Sequence, residues 1–186
     1  MSFTSLPDSR PAFSYDPVTR ELLGNITVFL SPADGTYPLP PSAVEFSPGD
    51  SAGLFRRHRL TIALDAWETV ADFRHVMLYA KATAEPVANT LSLGEALSDD
   101  LTTTQPIVFG PDDHCRNQWD DAAKAWRAIP DFSLIPLWDK STAVLVDSLP
   151  VGQPLPFELT TIAPPRGNAD VARWDELIGG WVKKLK

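Results

Sequence analysis

A chain of 186 residues with 44% hydrophobic and 10% aromatic residues can bury a sizeable core, which excludes disorder as the default state. The net charge of −8 and the pI near 4.8 exclude a nucleic-acid coat, because such surfaces need an excess of Lys and Arg. Six tryptophans and 18 prolines are both high for this length, and the prolines favour strands, turns and extended segments over long helices.

In chain order, the first residues carry Pro7, Pro11 and Pro17 among single apolar residues (Phe3, Leu6, Phe13, Tyr15), which predicts an extended arm over 1–20 rather than a central strand. Glu21 to Ser31 is rich in β-branched and aromatic residues and stops at Pro32 and Asp34-Gly35, a strand followed by a turn. Its Asn25-Ile26-Thr27 triplet matches a glycosylation sequon but reads as strand sequence. Ser42 to Ser47 predicts a short second strand. Leu54 to Leu64 predicts a third, with Leu60, Ile62 and Leu64 alternating against Thr61 and Ala63.

Asp65 to Thr83 fits a helical face (Ala66, Val70, Phe73, Met77, Ala80) behind an Asp65-x-x-Glu68 capping pattern, although Phe73 to Thr83 would also serve as a buried strand. Propensity favours the helix. Leu91 to Leu101 reads as a short helix or turn, and Gln105 to Phe109 as a strand. Pro111 to Ala128 predicts the clearest internal helix, with acids in its first turn and Trp119 and Trp126 seven apart on one face. Ser133 to Trp138, Thr142 to Val146 and Leu155 to Ile162 are further strand candidates.

The last stretch carries Val171, Trp174, Ile178, Trp181 and Leu185 at helical spacing, with Lys183, Lys184 and Lys186 at its end. Asn168 stands where it would cap such a helix, and Gly179-Gly180 weakens it in the middle. Together these elements predict an α+β, β-rich fold. It would be an antiparallel sandwich or barrel of seven to nine strands with two or three peripheral helices, including an amphipathic C-terminal one. The expected organisation is an arm at 1–20, a β-rich core at 21–163, and a hinge with a docking helix at 164–186. No internal repeat stands out at a fixed period.

Chemistry-bearing residues are few. Asp112-Asp113-His114-Cys115 is the densest reactive cluster, and with Trp119 it would line a pocket if the chain bound a small molecule or were an enzyme. The same acids are expected inside a helix start from the macrodipole alone. No Cys-x-x-Cys, His-x-x-x-His or His-Glu-x-x-His spacing occurs, so neither a metal nor a cofactor is expected. Phosphate-binding glycine loops and the Gly-x-Ser-x-Gly elbow are missing as well. Arg56-Arg57-His58-Arg59 is the internal basic cluster, suited to guarding a strand edge or to docking on the acidic stretch of another copy.

Cys115 is the single cysteine, and the N-terminus lacks the features of a secretory signal, so a cytoplasmic protein is expected, free or incorporated into a larger particle. The leading expectation is a non-enzymatic structural or interaction protein, such as a particle or virion subunit, that assembles with itself or a protein partner through its terminal segments. Arg56, Arg57 and Arg59 and the terminal stripe would supply the contacts. The alternatives are the pocket-bearing binder or enzyme, and a peripheral membrane or toxin-like protein using the terminal helix. Nucleic acid is not an expected partner. Stable membrane insertion is not expected either, because Asp170, Asp175 and Glu176 oppose anionic lipid.

Overall fold

The computed structural model describes residues 7–165 and 172–183. Every element among them is a β-strand: β1 (Ser9–Tyr15), β2 (Leu22–Phe29), β3 (Ala43–Val44), β4 (Arg56–Leu60), β5 (Trp67–Ala71), β6 (Leu78–Ala80), β7 (Pro86–Val87), β8 (Leu101–Thr102), β9 (Cys115–Asp120), β10 (Ala125–Pro130), β11 (Leu137–Asp139), β12 (Leu145–Val146), β13 (Leu159–Thr160), β14 (Ala172–Asp175) and β15 (Gly180–Lys183). They pair antiparallel in six small sheets, none closed into a barrel. This overturns the expected α+β sandwich or barrel with peripheral helices. Asp65 to Thr83 holds β5 and β6, and Pro111 to Ala128 is occupied mainly by β9 and β10. The terminal stretch is the β14–β15 hairpin, with Asn168, Val171 and Leu185 outside the described residues.

The chain divides into two compact units, one of Met1–Met77 with Ala88–Asp99 and one of Leu78–Val87 with Asp100–Lys186. Within these units one pattern recurs three times among the described residues. A three-stranded sheet, ordered β2-β1-β3, β7-β6-β8 or β12-β11-β13, is followed in sequence by a two-stranded hairpin, β4-β5, β9-β10 or β14-β15. The first module lies in the first unit, and the other two lie in the second.

Local chemistry explains the recurrence. Tight six-residue connections close with a backbone bond from the fifth residue to the first: Arg20 N to Asp16 O at 2.7 Å, Ala84 N to Ala80 O at 2.8 Å, Ala143 N to Asp139 O at 2.8 Å and Gly179 N to Asp175 O at 2.8 Å. The donating residue takes a left-handed conformation in each case, with φ of 61°, 63°, 58° and 64°. A left-handed residue after a helical turn lets strands re-pair with their natural twist. Asp16, Asp120, Asp139 and Asp175 stand at the first turn position, each carboxylate accepting from the backbone N–H groups two and three residues on. Short acidic side chains favour turns because they supply this bond.

Each three-stranded sheet is tied to its hairpin by a tryptophan. The indole N–H of Trp67 donates to Phe46 O at 2.9 Å, that of Trp126 to Thr104 O at 2.8 Å, and that of Trp181 to Ile162 O at 2.8 Å. The acceptors are spaced 58 residues apart in sequence. A second set of equivalent bonds joins each of the first two hairpins to a loop farther along the chain, between β7 and β8 or between β12 and β13: Gly94 N to Ala71 O and Gly152 N to Pro130 O, both at 2.8 Å. The chain therefore does contain a repeat, against the sequence-based expectation of none.

The core is thin. Among the described residues only Leu60, Leu78 and Leu137 are large side chains that are fully buried, one in each module. Residues 9–15, expected to form an arm, make the central strand of the first sheet, with Phe13 and Ser14 paired on both sides. Pro11 is tolerated there because β3 pairs only with Phe13 and Ser14, so no ladder bond to β3 is lost at Pro11. No helix among the described residues is long and apolar enough to cross a membrane.

Candidate functional site

The terminal stripe is split by the hairpin. Trp174 and Trp181 are directly paired across β14 and β15, their rings edge-on with centroids 5.4 Å apart. Ile178 lies in the turn, 70% exposed, beside Leu177, which is 100% exposed. The aromatic pair thus faces its own module, while two large aliphatic side chains stand in solvent at the tip. Trp119 and Trp126 repeat the pairing across β9 and β10, with centroids 5.1 Å apart.

Lys140 packs against that terminal hairpin. Its Nζ lies 4.3 Å from the Phe157 ring centroid, 5.1 Å from that of Trp174 and 3.3 Å from Glu176 Oε1. The equivalent Lys81 lies 5.3 Å from the Trp119 ring and 3.5 Å from Asp121 Oδ1. An ammonium on an aromatic face beside a carboxylate is held by both the ring quadrupole and the ion pair. A hollow of about 400 Å³ opens around Lys140, lined also by Asp139, Phe157, Arg173 and Trp174. Sequence reasoning passed over both lysines, although each stands one residue after the start of a tight turn. Ser141 and Thr142 donate to Asp139, holding its carboxyl down at about 2. The indole nitrogens of Trp138 and Trp174 are buried without a hydrogen-bond partner.

The arginines of β4 are engaged within the chain. Arg57 Nε meets Asp72 Oδ2 at 3.2 Å and Glu21 Oε1 at 3.5 Å, and Arg59 Nε meets Glu68 Oε1 at 2.9 Å. Arg74 completes the cluster, with Nη2 2.9 Å from Glu21 Oε1 and Nε 2.8 Å from Asp72 Oδ1. The Arg74 side chain holds the Asp72 carboxyl below its usual range, and Asp72 in turn raises the Arg74 guanidinium. Arg56 is exposed, whereas Arg57 and Arg59 knit the first hairpin to its surroundings.

The reactive cluster is partly assembled. His114 and Cys115 line a hollow of about 250 Å³ with Asp131, Leu134 and Ile135. Asp112 and Asp113 are exposed outside that lining, and Asp113 Oδ2 accepts from Gly110 N. Trp119 stands at the far end of β9 on Trp126. His114 has a φ of 46° and its ring lies 5.5 Å from that of Phe132, the arrangement that Phe55 makes with Phe73 in the preceding hairpin. His114 thus occupies a repeated structural position. Among the described residues no group of three His, Cys, Asp or Glu side chains could hold a metal ion.

No protein-family model, curated protein or solved structure matches this chain.

Proposed function

We propose that this protein is a structural, self-assembling subunit, a building element of a larger particle rather than a catalyst. One observation carries the reading: the repeated, clasped β-modules leave large apolar side chains outside the core, most completely Leu177, which stands with the exposed Ile178 at the tip of the last hairpin. Side chains of that size on a well-tied turn favour contact with another protein surface. A particle subunit has a use for such tips, since its own core is too thin to cover them. Mass photometry and sedimentation of the full chain test this, with assemblies expected at micromolar concentration and fewer of them in the Leu177→Ser/Ile178→Ser variant. A strictly monomeric wild-type chain refutes it.

A second reading, a small-molecule binder, is favoured by the hollow that places His114 and Cys115 beside Asp131 and Leu134. It predicts that a bound compound slows alkylation of Cys115. Uniform labelling rates across a chemically varied ligand panel refute it.

A further inference from the structure

We infer that the hollow around Lys140 is a binding site for a neutral saccharide, with Phe157 as the platform on which a sugar ring lies. The site is independent of self-assembly, since it is built within the third module and needs no second copy. The repeat supplies an internal comparison. Tyr15 N donates to Ser42 O, Lys81 N to Asp100 O and Lys140 N to Glu158 O, each at 2.9 Å, so Pro41, Asp99 and Phe157 hold the same place in the three modules. Three such different side chains mean that the repeated sheet does not require an aromatic ring there. Phe157 is also 73% exposed, so its ring contributes little buried area to the fold.

The surroundings of the two lysines differ as well. In the second module the Trp119 indole N–H donates to Asp121 Oδ1 at 3.1 Å, and the same oxygen lies 3.5 Å from Lys81 Nζ. In the third, Glu176 stands in the place of Asp121 and sets both carboxylate oxygens 3.3 Å from Lys140 Nζ, while the Trp174 indole N–H is left without a partner. Lys140 in turn sits 4.3 Å from the Phe157 ring centroid and steadies that ring. The hollow of about 400 Å³ between these groups lies in the range of roughly 300–1,000 Å³ usual for ligand sites.

Charge selects the class of ligand. Lys140 is neutralised by Glu176, and the Asp139 carboxylate is taken up by donors from Ser141 and Thr142. For a ligand there remain Arg173, whose contact with Asp175 is 3.9 Å long, and the exposed Glu158. An anion would meet three carboxylates in the lining, those of Asp139, Glu158 and Glu176, and a cation would meet Lys140 and Arg173. A wholly apolar molecule would strip water from these groups without replacing its hydrogen bonds. A neutral sugar satisfies all of them. Its C–H face lies on an aromatic ring, while its hydroxyls both donate to a carboxylate and accept from a guanidinium.

Full-length protein is titrated with glucose, galactose, N-acetylglucosamine, cellobiose, lactose and diacetylchitobiose to about 20 mM, well above a millimolar Kd, by saturation-transfer difference NMR and tryptophan fluorescence. At least one of these sugars should bind saturably. Phe157→Ala should weaken that binding at least about tenfold, and Phe157→Trp should retain it, because either ring offers an aromatic face. Glu158→Gln should weaken it about fivefold by turning a charged acceptor into a neutral one. Glucuronate and glucosamine, which add one charge of either sign, should bind more weakly than glucose. Absence of saturable binding by every neutral sugar overturns the site, as does binding that Phe157→Ala leaves unchanged. Preference for glucuronate or glucosamine overturns the ligand class. Far-ultraviolet circular dichroism controls for folding; should Phe157→Ala misfold, Glu158→Gln decides, and unchanged affinity in that variant overturns the site.

Discussion

Replacing Trp126 by Phe isolates the clasp that holds the second hairpin to its sheet. Trp126 is 7% exposed, its indole N–H lies 2.8 Å from Thr104 O, and its ring packs edge-on against Trp119. Phenylalanine keeps an aromatic ring on Trp119 but removes the donor, stranding a part-buried carbonyl. The bond is worth about 1 kcal/mol net, and a stranded acceptor pushes the loss higher. The smaller ring forfeits on the order of 50 Å² of burial, about another 1 kcal/mol at roughly 25 cal/mol per Å². The sum is about 2 kcal/mol, which at about 2 kcal/mol per M lowers the urea midpoint by about 1 M. Trp67→Phe and Trp181→Phe break equivalent bonds in exposed settings and should shift it by less than half as much. Urea titration followed by fluorescence and circular dichroism checks this. A Trp126→Phe midpoint equal to wild type, or a larger effect at Trp67, would refute the clasp as the tie between sheet and hairpin.

Gly179→Ala should cost about 1 kcal/mol through backbone strain alone, because φ is 64° and no atom lies within 4 Å of the added methyl; thermal unfolding with no loss of stability would contradict this. Asp139, held down at about 2 by Ser141 and Thr142, contributes stability that is full above the ordinary carboxylate pKa of 3.8 and is lost as pH falls from about 4 to about 2. Asp139→Asn should flatten stability in that window, and an unchanged acid limb would exclude Asp139 as a source of it. Lys140→Met keeps the packing on Phe157 and Trp174 but removes the charge, so it should cost about 1 kcal/mol and shrink the salt dependence of unfolding. An identical salt dependence in wild type and variant would place the value of Lys140 in its methylenes.

The strand-rich character was legible from proline content and from segments such as Glu21 to Ser31, where β2 lies, but the helices were not there to be read. Trp119 and Trp126, and Trp174 and Trp181, are seven apart. Seven residues make two helical turns, yet a six-residue connection also sets residues seven apart directly opposite in a hairpin. The aspartate after the first tryptophan is equally ambiguous, since the same carboxylate-to-backbone bonds cap a helix and build a turn. What distinguishes them is recurrence: Trp-Asp followed by five residues and Trp occurs at both places. The third copy hides the pattern, because Leu60 and Thr61 replace Trp and Asp. At the candidate sites, spacing brought His114 and Cys115 to one hollow, while the engagement of Arg57 with Glu21 and Asp72 depended on long-range pairing that no local pattern encodes.

A thin core and a repeated clasp belong together physically. A module with one fully buried leucine, its other core side chains such as Phe13, Val28 or Trp126 keeping a little exposure, gains only about 1.5–3 kcal/mol from that leucine. Its stability draws also on the indole-to-carbonyl bonds, the carboxylate-capped turns and the ammonium on an aromatic face, each local to a few dozen residues. Interactions of that range make stability a sum over modules and their neighbours. Such a design can leave side chains like Leu177, Leu23 and Phe29 outside without losing the fold that displays them. A catalyst gains little from displayed apolar residues, whereas a subunit that must remain folded before its partners arrive gains a pre-organised contact surface. Removing a clasp and removing a contact residue should therefore have separable effects, the first on unfolding and the second on association, and a self-assembling structural chain is the reading under which both sets of residues have a use.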